Sequence, residues 1–252
     1  MTRAKRALRF TLAMLPAALL AGYFGGKYSL ASVPAEALEQ AARQVGGPAA
    51  VLWITAAQMA LYAAASAFFG YLLADRLGLM RPLRIDRKPL LRALAVAAVC
   101  GVALSLDAWT FGRWIPEVGA SYADAGRFDA VTWLASIFYG GIVEELMMRL
   151  LIMSLLALIG WKLFHRAQEK PPTAALVGAN VIAAALFAAG HLPATAMLFG
   201  RLTPMILLRC FLMNGAFGLL FGRLYRKYGI QYAMIAHALT HVVSRTIWIL
   251  FL

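Results

Sequence analysis

Six side chains in the C-terminal half carry chemistry that their surroundings do not favour. Glu144, Glu145 and Arg149 interrupt the apolar run 130–161, His191 closes the run 173–190, and His237 and His241 lie within the run 230–252. A carboxylate or guanidinium held at bilayer depth costs at least a few kcal/mol, so each such group needs a partner or a task. Glu145 and Arg149 stand four residues apart with the acid first, which places them on one helical face where they can pair. That pair by itself is accounted for by a buried ion network that locks helices together. Glu144 is rotated by about 100° from Glu145 around a helix and has no cation three or four residues away, so it is free for other work. His237 and His241 share a face. Their spacing is that of the zinc-protease pattern H-E-x-x-H, but Ala238 occupies the position of the glutamate base, which excludes a conventional zincin.

The elements that must position these groups follow from composition. Of 252 residues, 62% are apolar and only 14% charged, and the mean hydropathy is +0.74, which rules out an ordinary soluble domain. Apolar runs of bilayer-spanning length occur at 8–24, 49–74, 90–106, 130–161, 173–190, 203–221 and 230–252. The fourth is long for one crossing and contains Gly140-Gly141, so it is expected to tilt, overrun the membrane surface or break in two. The expectation is an all-α, polytopic transmembrane bundle of seven or eight spans with a polar intramembrane site. The chain reads as a single integral-membrane domain, 1–252.

The net charge of +13 would suggest nucleic acid in a soluble chain, but its distribution decides otherwise. Arg3, Lys5, Arg6 and Arg9, then Arg76 to Arg92, then Lys162, Arg166 and Lys170, then Arg223, Arg226 and Lys227 fall in alternate connections. The intervening connections hold only Lys27, Arg43, Arg113, Arg127 and Arg201. Cytoplasmic loops retain positive charge, so the N-terminus is expected in the cytoplasm and no nucleic-acid partner is needed. The first run, followed by Ala31-Ser32-Val33, has features of a signal peptide and is read as an uncleaved anchor. Cys100 and Cys210 are read as packing residues, and Gly218 to Gly222 as a close helix contact. Arg209 and Arg245 are expected to pair or snorkel, Asp107 to be solvated near a helix end, and Asn180 and Asn214 to bridge helices. At 1.5 Å per residue, Glu144 and His191 lie roughly 25 Å from the cytoplasmic side, and His237 and His241 roughly 10–17 Å.

Glu-Glu-x-x-x-Arg at 144–149, Phe-x-x-x-His at 187–191 and His-x-x-x-His at 237–241, in this order on apolar helices, resemble the CPBP intramembrane protease family, which includes CAAX prenyl endopeptidases and the Abi bacteriocin-processing proteins. The resemblance covers 130–252, which it makes the catalytic helices. One position departs, since the last motif usually ends in Asn where this chain has His241. The resemblance implies an endopeptidase in which Glu144 and His191 activate a water, Glu145 and Arg149 orient the site, and His237 and His241 stabilise the oxyanion. It implies a protein or peptide substrate, lipidated in the CAAX case, within a lipid bilayer. Glu144, His191, His237 and His241 would also make a zinc set. A site using all four would leave no open position or separate base, which favours the cofactor-free glutamate reading. Against an enzyme stand a non-catalytic membrane scaffold or bacteriocin-immunity protein built on the same cluster, and a transporter using it as a proton relay. High Ala, Leu and Arg content suggests a bacterial inner membrane.

Overall fold

The computed structural model describes residues 1–31, 33–123 and 125–252, and among these the regular structure is entirely helical. Ser32, the middle residue of the small-residue stretch Ala31-Ser32-Val33, lies outside the described residues. Helix α1 (Arg3–Ala31) is followed by a short amphipathic α2 (Ala35–Val45), and then α3 (Pro48–Arg76) and α4 (Arg87–Ser105). Short turns lead to α5, helical through residues 130–164; α6 (Thr173–Gly190) and α7 (Leu192–Phe199) follow, then α8 (Pro204–Tyr228) and α9 (Ile230–Phe251). The chemistry of the sequence explains several boundaries. Asp129 caps α5 by accepting hydrogen bonds from the Val131 and Thr132 amides, and Thr203 caps α8 by accepting one from the Ile206 amide.

Six helices among the described residues are long and apolar enough to cross a membrane, fewer than the seven or eight expected. The difference lies in α5, whose length is divided by π-helical stretches at Ser136–Val143 and Leu146–Met153. Gly140-Gly141 does not break the segment into two spans; both residues lie inside the first π-helical stretch.

Polar contacts mark two ends of the bundle. At one end Arg3 and Arg6 pair with Asp75, and the Tyr232 hydroxyl accepts from the Asp86 amide and donates to the Arg84 carbonyl. All four basic connections lie at this end. At the other, Asp107 is ion-paired with Arg209 and accepts from the Tyr122 hydroxyl, and the Trp248 indole donates to the Ser105 carbonyl. Segment 130–164 runs between these ends, starting beside the last turn of α9, where Gly126 meets Leu252. Asp107 is therefore buried and paired rather than solvated, because Arg209 reaches it from α8. Cys100 and Cys210 are both free and buried.

The interior is made of small and large apolar side chains from all the long helices, among them Ala67, Ala93, Val143, Leu146, Leu150, Phe221 and Ala236. Much of the outer surface remains apolar, with Trp53, Leu61, Val99 and Leu208 all more than half exposed. Such a belt suits lipid and would be a liability in water.

Candidate active site

The site forms where α5, α6, α8 and α9 converge. Gly141 makes this convergence possible, since a Cβ there would lie 2.5 Å from the Ala238 Cβ. The contact also gives a steric reason for Ala238, because a glutamate side chain would collide with α5. The π-helical turns flank Glu144-Glu145, and the Glu144 amide donates five residues back to the Tyr139 carbonyl. Such widened turns change how successive side chains are aimed and recur at functional sites.

The two carboxylates then separate into different environments. Glu145 is fully buried, and its Oε1 is 2.9 Å from Arg149 and 2.8 Å from His237 Nδ1. The Arg149 guanidinium lies over the rings of Phe187 and Phe221, 4.6 Å and 5.5 Å from their centroids. Two aromatic faces thus supply attraction where hydrogen-bond acceptors are scarce. Phe221 also stacks on His237 at 4.6 Å. This ring was not distinguished in the sequence from the many other core phenylalanines. Its role comes from packing, which no spacing records.

Glu144 keeps some accessibility, and His191 is about one-third exposed. The Glu144 carboxylate sits between two imidazoles, with Oε1 3.9 Å from His191 Nε2 and Oε2 3.9 Å from His237 Nε2. Each imidazole is oriented from behind. His191 Nδ1 is 2.8 Å from the Phe187 carbonyl and His237 Nδ1 is 2.8 Å from Glu145. An Nδ1–H directed at these oxygens leaves each Nε2 of the neutral ring free as a proton acceptor on the Glu144 side.

Five of the six expected site residues are therefore joined by direct contacts, and His237 stands at the same level as Glu144 rather than closer to the basic end. The depth count assumed that α9 begins at the membrane surface. Instead Ile230 is buried and Tyr232 is bonded to the Arg84–Asp86 segment, so the helix starts beneath that segment. His241 stacks on His237 with centroids 5.2 Å apart, and its Nε2 faces Gly140. A cavity of about 670 Å³ is lined by His191, His237 and His241 together with Asn214, Thr240 and Arg209. Asn214 donates within its own helix to the Cys210 carbonyl, whereas Asn180 does bridge helices by donating to the Leu219 carbonyl. Arg245 donates to the Ser136 hydroxyl.

The two Nε2 atoms approach different oxygens of Glu144, and among the described residues no three His, Cys, Asp or Glu side chains are grouped as metal ligands.

Residues 126–243 match the family model of type II CAAX prenyl endopeptidase Rce1-like proteins. Neither the curated proteins nor the solved structures gave a match. The matched segment contains all six polar residues and the helices that bring them together. The apolar helices make the chain an integral membrane protein, and its residues 126–243 are similar to the type II CAAX prenyl endopeptidase Rce1-like proteins, a family of membrane proteases.

Proposed function

We propose that the chain is an intramembrane endopeptidase of the glutamate type, acting on a polypeptide segment within the bilayer. The observation that carries this reading is the placement of the Glu144 carboxylate between two pre-oriented imidazoles, 3.9 Å from each. That separation is too long for a direct hydrogen bond, and a water seated beside the pair can contact both the carboxylate and an imidazole. Glu144 takes a proton from the water as its oxygen attacks the scissile carbonyl carbon, and His191 holds the water in line. The proton is then delivered to the departing amine as the carbon–nitrogen bond breaks. His237 faces the developing oxyanion and stabilises it by donating from Nε2 when its ring carries a second proton. His241 lies next to it and supplies a further N–H. A donor fixed in a low-dielectric pocket serves this purpose better than water does.

Glu145 and Arg149 act at one remove, fixing the His237 ring. In this reading Glu144 is the base and no step is routed through a metal. Treatment of the purified protein with a strong chelator is expected to leave cleavage unchanged. Loss of cleavage that zinc restores would overturn the glutamate assignment.

The substrate follows from comparing polypeptide termini in cells producing the wild-type chain with those producing Glu144→Gln at equal membrane levels. New termini present only with the wild type establish proteolysis and identify the bond, in a prenylated C-terminus, a leader peptide or a membrane protein. Identical termini in both would favour a scaffold or immunity role. The charge alternation supports an N-terminus in the cytoplasm, and the composition a bacterial inner membrane.

A further inference from the structure

We propose that the active-site cavity takes its substrate from the membrane face opposite the basic loops, so that its substrates are exported or externally anchored polypeptides rather than cytosolic C-termini. The argument rests on how differently the site is closed at its two ends. Toward the basic connections it is sealed by side chains with essentially no exposure. Glu145, Leu146, Leu150, Phe221, Tyr225 and Ala236 fill that direction, and the Ser154 and Tyr225 hydroxyls hydrogen-bond to each other beneath the site at 2.7 Å.

In the other direction the lining residues are open. The cavity continues past His191 to Met197 and Leu198, both more than half exposed, and to Tyr28 and Leu104 in the last turns of α1 and α4. A second cavity of about 530 Å³ lies next to the first and shares the wall residues Tyr28, Leu198 and Arg209 with it. Its remaining walls include Tyr122, Arg127, Asp129 and Arg245. These residues belong to the end of the bundle held by Asp107 and Arg209, whose connections hold fewer cations than those of the basic end. Basic connections stay in the cytoplasm, so this opening faces away from it. The word substrate rests on the proteolytic reading, but the direction of opening does not.

The test uses the full-length chain with Cys100→Ala and Cys210→Ala, carrying one new cysteine at a time in intact spheroplasts. Met197→Cys reports the cavity and Leu83→Cys the basic loop, where Leu83 is also more than half exposed. A membrane-impermeant maleimide is expected to label Met197→Cys before lysis and Leu83→Cys only after it. Labelling of Met197→Cys only after lysis, or in neither state while Leu83→Cys reacts, would overturn the proposal. This result is independent of catalysis. A second arm asks where the Glu144-dependent termini fall; ends confined to cytosolic polypeptides would also overturn it.

Discussion

At the scale of single residues, the site divides labour by accessibility. Glu144 and His191 keep part of their side-chain surface exposed, whereas Glu145 and Arg149 keep essentially none. The two neighbouring acids should therefore fail in different ways. Glu144→Gln keeps the shape of the side chain but removes the base, and general-base contributions are typically 10²–10⁴-fold. Cleavage is expected to fall by at least about a hundredfold while thermal unfolding in detergent stays nearly unchanged; equal rates would remove Glu144 from the chemistry. Arg149→Met instead leaves Glu145 buried without its cation, and breaking a buried pair from one side costs about 3–5 kcal/mol. Here the unfolding midpoint is expected to drop sharply. Adding Glu145→Gln to Arg149→Met should recover much of that stability without recovering cleavage, since His237 loses the carboxylate that orients it. If Arg149→Met unfolds like the wild type, the pair is not an electrostatic unit.

At the scale of elements, the approach of α5 to α9 decides whether those side chains meet at all. Gly141→Val would place two methyl groups where Ala238 already leaves no room for a Cβ. Overpacking of this kind costs about 1–3 kcal/mol, relieved only by moving the helices apart. Cleavage should therefore fall out of proportion to the lost stability. Gly178→Ala is the matched control, since a Cβ there meets nothing within 4 Å, and removing a mid-helix glycine is expected to raise stability by up to about 1 kcal/mol. Similar cleavage in both variants would show that helix separation is not limiting. These elements also mark what the sequence could tell. Apolar run length alone located the long helices, and the expense of buried charge singled out Glu144, Glu145, Arg149 and the histidines. Period counting could not see the π-helical turns, because a one-residue widening leaves composition untouched. Nor could it see that α9 starts beneath the Arg84–Asp86 segment, since that segment reaches Tyr232 from a distant part of the chain. Asp107 was misread for the same reason, as its partner Arg209 is remote in sequence.

At the scale of the whole molecule, an ion pair clamps the bundle at each end, but the two clamps differ in kind. Arg3 and Arg6 meet Asp75 at the basic end with their guanidiniums largely exposed, and exposed pairs contribute about 0–1 kcal/mol. Asp107 and Arg209 meet at the opposite end with the carboxylate fully buried and the guanidinium nearly so. Asp75→Asn should change the unfolding midpoint little, and less still at high salt. Asp107→Asn leaves the buried Arg209 charge unpaired and is expected to cost about 3–5 kcal/mol, with little dependence on salt. It should also affect function, because Arg209 belongs to the walls of both cavities. A guanidinium freed from Asp107 would swing into the space it now borders, so the remaining folded protein should show a raised KM with kcat largely preserved. The conservative change Asp107→Glu, which keeps the charge, should restore part of both. A fall in kcat at unchanged KM would instead mean that the clamp sets the catalytic geometry and that the route past Arg209 is not the one the substrate takes.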